Sequence, residues 1–188
     1  MKKKRGRRIA MLLAMMMLIM NLIVSPVWAG PGDVAINETN FPNYYFRNYV
    51  SKKLDKDHDG KLSDAEIAGI KSIDVRDIYL IKNLKGIEYF TALQTLNCDG
   101  NRLSTLDISK NAALQKLVCS NNQLTNLDVS NNPALEYLYC GANQLTNLDV
   151  SNNPALEYLY CGATQLTNLD VSNNPALKYL NCGNNRLK

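Results

Sequence analysis

From Leu93 onward the apolar positions recur with a period of 21 residues. Units begin at Leu93, Leu114, Leu135, Leu156 and Leu177, four of them full and the last partial. They share the pattern L-x-x-L-x-C-x-x-N-x-L-x-x-L-D-V/I-S-x-N-x-A. In the first unit Leu96 and Cys98 stand two apart, which is the alternation of a short strand. Leu103, Leu106 and Ile108 then bring the chain back beneath it. One unit cannot bury these side chains alone. Stacked units share a continuous core, with strands about 4.8 Å apart in a parallel sheet. A unit of this length has no room for a full helix on its return, so turns and short extended pieces such as Leu-Asp-Val-Ser are expected there. Gln123–Ala142 reappears unchanged as Gln144–Ala163, the mark of an internal duplication.

Polar columns run through the same array. Asn101, Asn122, Asn143 and Asn185 follow the strands, where an amide offers donors and an acceptor to the turn backbone. Thr164 interrupts this column and is expected to weaken its turn. Asp107, Asp128, Asp149 and Asp170 form another column, suited to local bonding with the turn backbone rather than to a cation. The five cysteines, Cys98, Cys119, Cys140, Cys161 and Cys182, follow the repeat and fit small buried hydrophobes, not a disulfide framework. On in-register parallel strands their Cβ atoms would lie about 4.8 Å apart, where a disulfide wants about 3.8 Å.

Upstream, periodicity gives way to a helical stretch from Phe41-Pro42 through Leu54, with Phe46, Tyr49, Val50 and Leu54 on one face. Asp55-Lys56-Asp57-His58-Asp59-Gly60-Lys61-Leu62-Ser63-Asp64-Ala65-Glu66 follows, fitting the twelve-residue EF-hand loop without a gap. Asp55, Asp57 and Asp59 would supply carboxylates, Lys61 its carbonyl, Ser63 a direct or water-mediated oxygen, and Glu66 a bidentate carboxylate to Ca2+. Ser63 and Glu66 also form a capping box for a helix running towards Ile70. EF-hand loops usually pair, and one such loop occurs in this chain. The flanking helices are therefore expected to pack on the end of the repeat stack, with Leu84, Ile87 and Phe90 as core positions in between.

The N-terminal segment changes the charge balance. Lys2, Lys3, Lys4, Arg5, Arg7 and Arg8 precede an apolar run from Ile9 to Val24, broken at Asn21, and then Ser25-Pro26-Val27-Trp28-Ala29. This reads as a signal peptide cut after Ala29. The uninterrupted stretch Ile9–Met20 is short for a membrane anchor, which needs about 20 residues, and no cysteine follows it for lipid attachment. With the six leader cations gone, the 21 basic residues become 15 against 17 acidic ones, a net charge of about −2. No basic stripe for nucleic acid remains.

The run Asn37-Glu-Thr-Asn-Phe-Pro-Asn-Tyr-Tyr-Phe-Arg-Asn-Tyr-Val, the acidic loop, Leu84-Lys-Gly-Ile-Glu-Tyr-Phe-Thr-Ala-Leu and the repeats together resemble exported leucine-rich-repeat proteins of Gram-positive bacteria. More distantly the repeats are similar to internalin-like surface proteins, which also carry a helical, EF-hand-like N-terminal cap. The loop resembles half of a dockerin. The resemblance implies a leucine-rich-repeat solenoid with a parallel sheet on its concave face, helix-poor repeats and a small α-helical cap. The expected organisation is a signal peptide at 1–29, a linker at 30–36, the cap at 37–72, a transition at 73–92 and repeats at 93–188. It also implies a secreted or surface location and binding of a protein or glycan.

Positions three and five of each unit should face outward on the concave side. These are Thr95 and Asn97, Lys116 and Val118, Tyr137 and Tyr139, Tyr158 and Tyr160, Tyr179 and Asn181. Five tyrosines thus gather on three neighbouring strands. Two readings fit them: a recognition surface, or a self-stacking aromatic ladder that supports the sheet. Catalysis finds little support, since the chain has one histidine and no Ser-His-Asp arrangement. The fifth unit lacks its return segment. Two expectations follow: a shortened form of a longer surface protein, or end-to-end self-association through residues 177–188. Docking through the acidic loop is the remaining alternative, with one loop where a dockerin usually has two.

Overall fold

The computed structural model describes residues 32–188, so the leader and its cleavage site lie outside the described residues. A six-stranded parallel sheet forms one wall of a solenoid: β3 (Ser72–Asp74), β4 (Thr95–Asn97), β5 (Lys116–Val118), β6 (Tyr137–Tyr139), β7 (Tyr158–Tyr160) and β8 (Tyr179–Asn181). Neighbours pair in strict register, Leu96 beside Leu117, Leu138, Leu159 and Leu180 in turn. The central leucines of β4 to β7 are fully buried, as are Leu103, Leu124, Leu145 and Leu166 on the return path. The return side holds turns and extended pieces, with no helix between Leu93 and Lys188. The sheet begins one strand earlier than the five repeats. The segment read as a transition supplies β3, and Ile73, Val75, Ile81, Leu84, Ile87 and Phe90 fill its share of the core.

Two asparagine ladders tie each coil to the preceding one. Asn122 donates its amide to the carbonyls of Cys98, Cys119 and Ser120 and accepts from Leu103 N–H at 2.9 Å. Asn143 repeats this one unit on, with Cys119, Cys140, Gly141 and Leu124. On the opposite side Asn111, Asn132, Asn153 and Asn174 donate to carbonyls 24 and 21 residues back. At Thr164 the first ladder has a gap, as the interrupted column led one to expect. Its hydroxyl lies 3.1 Å from Cys161 O and 2.5 Å from Asn185 Oδ1, but no side chain accepts from Leu145 N–H.

Before the sheet, β1 (Val34–Ala35) pairs antiparallel with β2 (Lys61–Leu62). Asn43 caps α1 (Tyr44–Tyr49), its side chain accepting from the N–H groups of Tyr45 and Phe46. The helix expected to continue through Leu54 changes character after Tyr49. Residues Val50–Leu54 form one wider π turn, closed by Asp55 N–H to Val50 O at 3.1 Å, and both Val50 and Leu54 stay buried. Ser63 then caps α2 (Asp64–Gly69) in the expected capping box with Glu66. Phe41 packs edge-on to Phe46 and lies 6.4 Å from Phe90, while Tyr89 OH donates to Asn40 Oδ1 at 3.2 Å. These contacts join the helical segment to the first coil in one continuous core. Gly86 makes the approach feasible: a Cβ there would stand 2.2 Å from the Phe41 ring, and its φ of 104° disfavours other residues.

Candidate functional site

The concave face is built by the strands alone. Strand alternation buries the central residue and turns the two flanking ones outward. Tyr137, Tyr139, Tyr158 and Tyr160 are half-buried, and Tyr179 is 49% exposed. The parallel register stacks them in two rows. Tyr137 and Tyr158 lie 4.9 Å apart with planes 10° from parallel, and Tyr158 and Tyr179 lie 6.3 Å apart at 30°. In the second row Tyr139 and Tyr160 are 6.4 Å apart at 27°. Lys116 on β5 heads both rows, its ammonium 5.9 Å from the Tyr137 ring centre and 5.9 Å from that of Tyr139. Gly141 makes room for Tyr160, whose ring edge would be 2.4 Å from any Cβ there. The sequence shows Gly141 as one more turn residue, and only the packing reveals its second use.

The loop between the two helices is the other candidate. Asp55, Asp57 and Asp59 bring carboxylate oxygens within 4.8 Å of one another. Each also bonds loop backbone: Gly60 N–H to Asp55 at 3.2 Å, Asp59 N–H to Asp57 at 3.3 Å, and Lys61 N–H to Asp59 at 2.8 Å. Asp55 is 2% exposed, and its Oδ1 has no hydrogen-bond partner. A buried carboxylate oxygen without a donor is costly, so a cation suits that position. Lys61 sits in β2 and Ser63 at the helix cap. Glu66 stands apart from the aspartate cluster. Its Oε1 accepts from Lys56 N–H at 2.7 Å, and its Oε2 accepts from Ser63 N–H and hydroxyl. The bond from Lys56, and then that from Ser63, hold the Glu66 carboxyl below its ordinary pKa.

The remaining polar columns are structural. Asp107, Asp128, Asp149 and Asp170 each accept from the N–H of the serine two residues on, at 2.8–3.0 Å. Those serines depress all four carboxyl pKa values, chiefly through the backbone N–H, and at Asp128 chiefly through the hydroxyl. Cys98, Cys119, Cys140 and Cys161 are buried free thiols, and Cys182 is partly exposed. Burial pushes the Cys161 thiol up to about 12 and those of Cys98, Cys119 and Cys140 upward as well, opposite to the need of a nucleophile. Among the described residues no helix is long and apolar enough to cross a membrane.

Residues 113–153 match the family model described as leucine-rich repeats in two copies. Among solved structures, the chain is similar to the functional domain of InlJ from Listeria monocytogenes, which includes a cysteine ladder. The TM-score is 0.76 and the identity 38%, over 82% of this chain and 34% of that one. It is also similar to the internalin InlF of the same organism, at a TM-score of 0.72 and 25% identity, over 83% of this chain and 47% of that one. A leucine-rich-repeat protein of Leptospira interrogans follows, at 0.56 and 26%, over 64% and 33%. The chain thus spans 34% of the InlJ structure and 47% of the InlF structure. No curated protein matches it. In fold and repeat, the chain resembles internalin-like leucine-rich-repeat proteins.

Proposed function

We propose that this chain is a secreted or cell-surface binding protein of a Gram-positive bacterium that takes a protein or glycan ligand on its concave face. The observation that carries this reading is the patch of five partly exposed tyrosines on three rigid, in-register strands. Side chains already stacked lose little conformational freedom on binding, and tyrosine offers apolar area together with a polar tip. The sheet beneath is sealed by fully buried leucines, so the patch is presented as a fixed surface. Signal-peptide cleavage after Ala29 places the mature chain outside the cytoplasm in this reading.

A structural Ca2+ in the Asp55–Glu66 loop belongs to the same proposal. It rests on the three gathered aspartates and the unpartnered Asp55 Oδ1. Bound calcium would neutralise the clustered carboxylates. Asp55, Asp57 and Asp59 would hold it with the Lys61 carbonyl, and Ser63 and Glu66 would join only by giving up their bonds to each other and to Lys56. An extracellular module of this kind has Kd on the order of 10⁻⁴–10⁻³ M.

The test is a ligand screen of the purified protein against arrayed cell-wall glycans and surface proteins, repeated with two variants. Tyr137→Ala/Tyr158→Ala should abolish the strongest interaction, while Asp149→Asn on the opposite side should leave it intact. Equal binding by wild type and the tyrosine variant would place the ligand site elsewhere.

A further inference from the structure

The two tyrosine rows and Lys116 define the chemistry of the ligand more narrowly. Strand order puts β5 and β7 on opposite sides of β6. The Tyr137 ring therefore lies between the Lys116 ammonium and Tyr158, and Tyr158 lies between Tyr137 and Tyr179. Tyr139 lies between Lys116 and Tyr160. The broad faces of these three rings are taken up by their neighbours. Ring edges and hydroxyls are what the surface offers. A sugar that lays its C–H face on an aromatic ring needs a free ring face, and the ladder withholds it at Tyr137, Tyr139 and Tyr158, leaving one face each at Tyr160 and Tyr179. A protein segment needs donors, acceptors and apolar edges, which the ladder supplies.

Lys116 adds charge. It is exposed, and it forms no ion pair among the described residues. Its ammonium is equally distant from the first ring of each row, at the head of both. The carboxylates of the next column are placed differently. Glu136 precedes the neighbouring strand β6 without an ion pair to Lys116, and Glu157 is paired with Lys178 at 2.7 Å, two strands away from β5. A carboxylate arriving at Lys116 would meet an unneutralised cation held over two tyrosine rings, with which it forms a charge-assisted bond.

We propose that the concave furrow receives an extended protein segment bearing an aspartate or glutamate, whose carboxylate pairs with Lys116 while its neighbours lie between the tyrosine rows. This rests on the concave-face reading above and goes further by naming the partner as acidic protein rather than glycan. The test uses a phage-displayed library of random dodecapeptides selected on the purified chain. Selected peptides, with soluble oligogalacturonate and chitohexaose as glycan arms, are then measured by interferometry on wild type, Lys116→Met, Lys116→Arg and Tyr137→Ala/Tyr158→Ala. Selected peptides should carry an acidic residue. Its change to the amide should weaken binding to wild type about ten-fold or more, but have little effect on Lys116→Met. Lys116→Arg should retain most of the affinity. Peptides that depend on the tyrosines but ignore both the amide change and Lys116→Met would overturn this proposal and leave the concave-face reading standing. Peptides indifferent to the tyrosines, or no enrichment at all, would overturn both. Tighter binding of either oligosaccharide than of any peptide, lost in the tyrosine variant, would overturn the choice of protein over glycan.

Discussion

Replacing Thr164 by asparagine should make the protein more stable. In the intact turns the asparagine amide joins two coils. Asn143 accepts from Leu124 N–H at 2.9 Å and donates to Cys119 O at 3.0 Å in the preceding coil. Asn185 does the same for Leu166 N–H and Cys161 O. At Thr164 the equivalent groups are Leu145 N–H and Cys140 O. Leu145 is fully buried, so its N–H has no water to turn to. Thr164→Asn supplies both missing bonds and keeps an amide donor towards Cys161 O. Two new bonds at about 1 kcal/mol each, less about 1 kcal/mol for the lost hydroxyl bond to Asn185 Oδ1 and about 0.5 kcal/mol for ordering a longer side chain, leave a gain of roughly 0.5 kcal/mol. In a domain of this size that is a rise in Tm of about 1–2 °C. Urea unfolding followed by circular dichroism should show a higher midpoint at unchanged slope. Asn143→Thr, the mirror change, should lower the midpoint by a similar amount. A Thr164→Asn protein no more stable than wild type, beside an Asn143→Thr protein that is clearly weakened, would refute the claim that the amide is interchangeable between turns.

The calcium loop, the acid limit and the turn strain can be tested in parallel. Titration calorimetry should show one Ca2+ site in the wild type that Asp55→Asn removes; equal heats from both proteins would dismiss the site. The depressed carboxyls of Asp107, Asp128, Asp149 and Asp170 contribute stability present above the ordinary aspartate pKa and lost as pH falls through their lower folded values. Unfolding midpoints should therefore decline below about pH 4, and the decline should be shallower in Asp128→Asn/Asp149→Asn; an unchanged acid limb in that variant would contradict the assignment. Ala142 and Ala163 hold the left-handed conformation, with φ of 50° and 54°, where the other units use Gly100, Asn121 and Asn184. Ala142→Asn should stabilise by about 1 kcal/mol in the same urea assay, and a loss would show that the turn is not strained.

How much was legible in the sequence depended on how local each signal was. The 21-residue period gave the strands and their register, because every unit repeats the same alternation. Outward tyrosines, the serine-bonded aspartates and the capping box at Ser63 and Glu66 also follow from short spacings. β3 stayed hidden because Ser72–Asp74 lies 23 residues before β4 and lacks the Leu-x-Cys pair of the later strands. Asn111, Asn132, Asn153 and Asn174 stand in the repeat pattern as the N of S-x-N, but nothing local marks them as a ladder, because their acceptors lie 24 and 21 residues back. The π turn at Val50–Leu54 has no sequence signature in a helical pattern that continues without a break. Lys116 over two rings, and Gly141 beneath a third, are relations between coils that one unit read by itself cannot express.

The asparagine ladders also bear on how such a chain changes length. The amides within the repeats reach 24 residues back, Asn101 reaches 26 residues back to Val75 O across a longer first coil, and the partner is the same backbone group in whichever coil comes before. Inserting or deleting one whole unit leaves each amide with a partner of the same kind, and the 23-residue first coil absorbs two extra residues while Asn101 keeps its bond to Val75 O. Gln123–Ala142 and Gln144–Ala163 are identical, so misaligned recombination between their coding segments would add or remove one unit without leaving an unpaired group at the joint. The same event adds or removes one tyrosine pair from the concave face. Diversification by this route proceeds in whole coils: each step lengthens the solenoid by one coil and widens its aromatic surface by one strand.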